Sequence, residues 1–180
     1  MATRARIIDD FFSNLNAYPW IPYSPIGETI IEEVRRMGPD GLFLSTACAL
    51  VEQESGGKAI FGCDWGSEWT NVPPFCNVRV TEKRVQRLIK NVESGGGQNG
   101  VGYTQLTAIS LVHEARREGG AHLPGPNMRV GFRVLNEHIA NLGWPAGAAA
   151  YNAGAGNWRS VMATYGADMA RREREWSARL

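Results

Sequence analysis

Cysteine and histidine are scarce in this chain, three of each among 180 residues. Cys48, Cys63 and Cys76 are odd in number and fit no zinc-ligand spacing. "HEARR", around His113, lacks the second histidine of a helical zinc-protease motif. His113, His122 and His138 therefore read as residues of helix surfaces or loops, and neither a metal nor a cofactor is expected. Excess charge is also missing: 19 Lys and Arg face 18 Asp and Glu, a net +1. Nucleic-acid binders carry a clustered basic face, so that partner is not expected. No stretch approaches the ~20 apolar residues of a membrane span. The opening "MATRARIIDDFF" starts basic, but acids follow at once and no apolar run comes after, so it does not read as a secretory signal. Thiols in a reducing cytosol are then the default, with Cys48 as a small buried hydrophobe. A Cys63–Cys76 pair is the open alternative.

What the chain does have is helical periodicity. Residues 2–16 carry Ile7, Ile8, Phe11, Phe12 and Leu15 at spacings of three and four, an amphipathic helix. "AYPWIPYSPIG" then places three prolines within seven residues, which forbids helix and marks a connector. Ser24 and Pro25 suit the N-cap and first turn of a helix through about Met37. A turn at "GPDG" leads into another helix, and residues 56–77 read as a long loop without period, a length that is usually functional. Thr81 caps a helix to about Glu93, and Thr107 is a candidate cap for one ending at Gly119-Gly120. Met128, Phe132, Leu135, Ile139 and Leu142 define a core helix over 127–142. "AGAAAYNAGAG" is a small-residue helix, and 158–180 is helical in two pieces, with "ARREREWSARL" as a solvated charged face. The only strand-like stretch is a short one near "NVRV". A mainly α single domain over 1–180 is predicted, with 1–26 as an N-terminal helix and Pro-rich connector, and a monomer is expected.

One residue breaks the pattern. In "FLSTACALVEQESGG", Phe43, Ala47, Leu50, Val51 and Glu54 fall at offsets of four, seven, eight and eleven, on one helix face. Glu54 extends an apolar stripe at a helix C-terminus, whereas Glu52 points elsewhere, toward solvent. Partial desolvation and the negative end of the helix dipole both favour a protonated Glu54. An acid still protonated near neutral pH is what glycosidic bond cleavage requires of its general acid. A buried ion pair with Arg79, Arg84 or Arg133 accounts for the placement equally well.

Two later stretches bear on that choice. "GVGYTQLT" offers glycines that let backbone approach a ligand, with the Gln105 amide as donor and acceptor. "AAAYNAGAGNW" sets Tyr151 and Asn152 on a nearly side-chain-free helix that can face a groove. In order, Glu54-Ser55, Gly102-Tyr103-Thr104-Gln105 and Ala150-Tyr151-Asn152-Ala153-Gly154 resemble the motifs of the soluble lytic transglycosylase and goose-type lysozyme superfamily. The resemblance spans about residues 40–160, and the last motif is the most specific. Tyr103 and Thr104 replace the apolar pair of the family's commoner Gly-Leu-Met-Gln form. "FGCDWG" and "GGGQNGVGYTQLT" are similar to glycosidase domains of endolysins from phages of actinobacteria.

The resemblance implies a lysozyme-like α-helical domain with a long loop or short β element after the catalytic helix. It also implies cleavage of the β-1,4 bond between N-acetylmuramic acid and N-acetylglucosamine, with peptidoglycan strands as the partner. Glu54 would be the proton donor. Ser55 would orient a neighbouring sugar or backbone group, Gln105, Tyr103 and Asn152 would line the cleft, and Tyr151 would fix the Glu54 carboxyl. Trp65 and Trp69 would stack on sugar rings, or anchor the loop to the core. Inverting hydrolysis needs a second carboxylate at about 6.5–9.5 Å; Asp64, in the loop after the helix, is the candidate base or a solvated turn residue, and Glu68 is a poorer one. A lytic transglycosylase would need none and would leave 1,6-anhydro-muramic ends. A non-catalytic wall-binding module, or more remotely a thiol peptidase built on Cys63 with His113 or His122, are the rival readings. A chain made in a host cytoplasm without a signal would reach the wall through a phage holin.

Overall fold

The helix that carries Glu54, α3 (Leu44–Ser55), is wrapped on nearly all sides. Ala47, Cys48, Ala49, Leu50 and Val51 are completely buried in this computed structural model, which describes residues 2–15, 17–63 and 76–180. The expected one-sided stripe is thus too modest: α3 is a central helix. Phe43 does not belong to its buried face, because it occupies the N-cap position and is 77% exposed.

Around α3 the chain lays α1 (Arg4–Asn14), α2 (Gly27–Arg36), α4 (Glu82–Glu93), α5 (Ile109–Arg117), α6 (Pro124–Leu142), α7 (Ala146–Ala153), α8 (Trp158–Val161), a π-helical turn (Met162–Gly166) and α9 (Ala167–Arg179). The described residues are mainly helical, as predicted, and none of their helices is long and apolar enough to cross a membrane. Thr81 caps α4 by accepting from the Arg84 amide, as its sequence position implies. The other caps differ. Ser24 does not start α2; instead Asp9 reaches over from α1, and its Oδ1 accepts from Ile26 N (2.8 Å), Gly27 N (2.9 Å) and the Tyr23 hydroxyl. A carboxylate suits the exposed amides of a helix start, whichever helix supplies it. Thr107 does not cap α5 either, since its hydroxyl bonds to the Gln105 carbonyl.

Close approach explains two small residues. A Cβ on Gly27 would lie 2.3 Å from the Ala5 carbonyl oxygen, so α1 and α2 touch backbone to backbone there. A Cβ on Gly147 would lie 2.5 Å from the Ile139 backbone, which lets α7 sit against α6.

The stretch after α3 makes no named strand among the described residues, but it pairs. Antiparallel bridges join Ile60 to Arg79 and Phe61 to Val101, with further bonds from Val80 N to Ala59 O and from Gly102 N to Ile60 O. This is the short β element anticipated near "NVRV". Cys63 and Cys76 are joined in a disulfide, which overturns the reduced-thiol default, while Cys48 remains a buried free thiol.

Two apolar clusters result. One gathers α1, α2, α3, α7, α9 and the Met128, Phe132, Leu135 face of α6. The other gathers Phe61, Val101 and Leu106 with α4, α5 and Val130 of α6. The C-terminal charged run is not a solvated face throughout: Trp176 of α9 is fully buried, and α9 lies along α3.

Candidate active site

Glu54 stands one residue before the end of α3, where Gly56 takes a left-handed conformation (φ 59°) and turns the chain away. Its carboxylate lines a cleft of about 830 Å³, within the size range of small-ligand sites. The walls come from both halves of the molecule: Tyr151, which packs on the first cluster, and Leu106 and Leu111 of the second. His138 and Val134 of α6 close one side, and Asn152 to Gly154 close the end of α7. Among the described residues that line the cleft, Glu54 is the one carboxylate.

The hydroxyl donating to Glu54 Oε1 is that of Tyr165, from the π-helical turn 111 residues away. Tyr151, expected in that role, instead donates to the Thr104 carbonyl at 2.6 Å. Both phenols are held far above their ordinary ionisation range, first by burial and second by the negative charge of Glu54. Tyr18, also on the cleft wall, is raised for the same two reasons in the same order. Three neutral tyrosines therefore surround the acid, and two of the three line the cavity it faces.

Of the arginines that the sequence offered as ion-pair partners, Arg133 is taken by Glu114 and Glu137. Arg79 is exposed beside a separate pocket near Lys58, and Arg84 donates to the Arg79 carbonyl. The buried ion pair of α3 belongs to Glu52, not to a solvated face. Its carboxylate accepts from Arg172 and from Trp176 Nε1 (2.8 Å), with only 10% of the side chain exposed. Glu52 and Glu54 thus divide the roles: one ties α3 to α9, the other faces the cleft.

The segment after Gly100 is built to hold the opposite wall. Gln105 sits at φ 51° and folds its amide back, donating to Gly102 O (2.7 Å) and Ile60 O (3.0 Å). A Cβ at Gly62 or Gly100 would approach Gln105 Oε1 to 2.6 or 2.4 Å, so both glycines make room for that amide. Beneath it, the buried Asn127 accepts from Thr104 N and Thr104 Oγ1 (both 3.0 Å) and donates to Val101 O (2.9 Å) and Ala121 O. Gly102 (φ 84°) has no room for a Cβ, which would lie 2.3 Å from Asn127 Nδ2.

Tyr18, Asn77 and Gln105 are the non-glycine residues with positive φ among those described, and all three line this cleft. Such conformations cost of order 1–3 kcal/mol each and persist where surrounding structure imposes them. At Tyr18 the constraint is visible: the Lys58 ammonium donates to its carbonyl at 2.9 Å.

The remaining expectations divide. Gln105, Tyr151 and Asn152 line the cleft with Glu54. Of the two partners expected for Ser55, a sugar or a backbone group, it takes the backbone: it is 1% exposed and donates to Tyr103 O (2.8 Å), pinning the end of α3 to the Gly-Tyr-Thr-Gln turn. Tyr103 is buried in the first cluster and faces the pocket near Lys58 instead. Asp64, Trp65, Glu68 and Trp69 lie outside the described residues. Tyr165, Tyr18 and His138 were not singled out from sequence as site residues; an aromatic or a histidine with no surrounding motif gives no signal until the fold brings it to the acid.

A glutamate held by a phenolic donor on the floor of a cleft is equipped for proton transfer to a bound group. No protein family, curated protein or solved structure matches the chain.

Proposed function

We propose that this chain is a peptidoglycan muramidase, with Glu54 as the general acid that protonates the leaving glycosidic oxygen. The observation that carries the reading is the Glu54 carboxylate on the floor of an 830 Å³ cleft, held there by Tyr165. Supporting it, Gln105, Tyr151 and Asn152 of the resembling motifs converge on the same cleft. A cleft between the two apolar clusters has room for sugar units, and its mixed lining of amides, phenols and apolar side chains around the single Glu54 carboxylate suits recognition by shape and hydrogen bonds. The proposal extends to a lysozyme-like fold and to an endolysin of phage origin acting on the wall.

Asp64 follows Cys63, a residue of the cleft wall, and is proposed as the base of an inverting hydrolysis. The second reading is a lytic transglycosylase, which needs one acid, and Glu54 in the cleft would serve it.

Glu54→Gln should lower lysis of purified sacculi by about 10²–10⁴-fold with the fold intact; undiminished lysis removes the proposal. Mass spectrometry of the digest separates the two outcomes, because 1,6-anhydro products are one water lighter than reducing ends. Asp64→Asn should suppress reducing ends if hydrolysis holds and leave a transglycosylase nearly untouched.

A further inference from the structure

Trp20 is a large side chain in the wrong place for a buried hydrophobe: 66% exposed, within the Pro-rich connector before α2. It is nonetheless held in one orientation. Its Nε1 donates to the Asn77 carbonyl at 3.0 Å, across 57 residues, and its ring meets the Tyr18 ring edge-on with centroids 6.0 Å apart. Both anchors are residues of the Glu54 cleft wall, and both take the left-handed backbone conformation. Asn77 is fixed in turn by the adjacent Cys76–Cys63 disulfide and by its own amide, which donates to Phe61 O at 3.0 Å. Tyr18 is near enough to Glu54 for that carboxylate's charge to bear on its hydroxyl.

We infer that Trp20 is a saccharide-stacking platform that extends the Glu54 cleft past Tyr18, giving the site an additional subsite for an N-acetylated pyranose. The inference rests on the glycan reading of that cleft. An indole presents a flat apolar face and a polar edge. Here the polar edge is already bonded to backbone, and the exposed ring surface is left to cover the apolar C–H face of a sugar. Ordering the ring beforehand removes the entropy loss that a freely rotating side chain would suffer on binding. A Trp used only as a structural anchor would gain nothing from staying exposed.

The test uses the Glu54→Gln protein, so that ligands are bound and not cut, and N-acetylglucosamine oligomers of increasing length as probes. Binding is read by calorimetry and by intrinsic fluorescence. Affinity should rise with length until the oligomer reaches Trp20. Trp20→Ala in that background should weaken the longer oligomers about tenfold, equivalent to about 1.4 kcal/mol, and leave the shortest ones unchanged. That is the loss expected from uncovering on the order of 60 Å² of ring at about 25 cal/mol/Å². Trp20→Phe keeps a ring but lacks the N–H. Near-parental affinity for long oligomers in this variant supports stacking, whereas a loss as large as that of the alanine variant assigns Trp20 to anchoring Asn77 and overturns the inference. Equal binding of all lengths by Trp20→Ala and its parent overturns the inference while leaving the muramidase reading in place. Failure of the parent to bind any oligomer overturns both.

Discussion

The Tyr165 hydroxyl donates to Glu54 Oε1, joining a π-helical turn near the C-terminus to the last turn of the central helix. A hydrogen bond to a charged group contributes about 1.5–3 kcal/mol. If the proposed glycan cleavage holds, Tyr165→Phe should therefore lower its kcat by roughly 10–100-fold with KM little changed. Tyr151→Phe, which removes a bond to the Thr104 carbonyl, should cost about 1 kcal/mol of stability and much less activity. Steady-state kinetics on a soluble glycan and thermal melts of both variants check the contrast.

Every tyrosine in the chain, Tyr18, Tyr23, Tyr103, Tyr151 and Tyr165, is raised above its ordinary ionisation range, in each case chiefly by burial. The folded state then holds tyrosine protons that the unfolded chain releases near pH 10. Stability from this source is fully present below that pH and is lost as pH rises above it, by up to about 1.4 kcal/mol per pH unit for each phenol that stays neutral. Urea melts between pH 8 and 11.5 should show a steep alkaline decline. Tyr151→Phe and Tyr165→Phe should each make it shallower.

Asn127 holds the turn that carries Gln105 through four side-chain contacts, all buried. Asn127→Ala would strand the Thr104 amide and the Ala121 carbonyl away from water, at about 1–3 kcal/mol each, and would leave the Val101 carbonyl with the Leu106 amide as its remaining donor. A loss of about 3 kcal/mol or more is expected, lowering Tm by about 6–12 °C. Differential scanning calorimetry reads it directly.

Thiol chemistry should separate the three cysteines. The native protein should show no reactive thiol toward Ellman's reagent: Cys63 and Cys76 are bonded, and burial holds the Cys48 thiol far above its usual range. Denaturation without reductant should expose one thiol, and with reductant three. Reduction of the native protein should cost about 3 kcal/mol, the loop-closure value for a span of this size.

The sequence made local matters legible and distant ones not. Thr81 and the Met128–Phe132–Leu135 face of α6 were readable because a cap and a helical stripe are written within a few residues of where they act. Glu52 was misplaced, expected in solvent, because nothing in "ALVEQESGG" announces that Arg172 and Trp176 of α9 will cover it. Phe43 failed for a related reason: periodicity extended a helix one position past its true start. At the site, the motifs pointed to Glu54, Gln105, Tyr151 and Asn152, which do meet. They gave the wrong tyrosine for the carboxylate, since position in a motif says which backbone approaches, not where each hydroxyl lands. Ser55 and Tyr103 sit within the motifs yet face inward, where they fasten one motif to the other.

The widened turn at Met162–Gly166 acts as a phase adjuster for everything beyond it. Each residue of an α-helix advances the chain by about 100° around its axis. Excising one residue from this turn would let it close into ordinary helix and swing α9 by about that angle. Arg172 and Trp176 would leave Glu52, and the phenol gripping the acid would be displaced with them. A single-residue deletion far along the chain would thus blunt a carboxylate more than a hundred positions earlier.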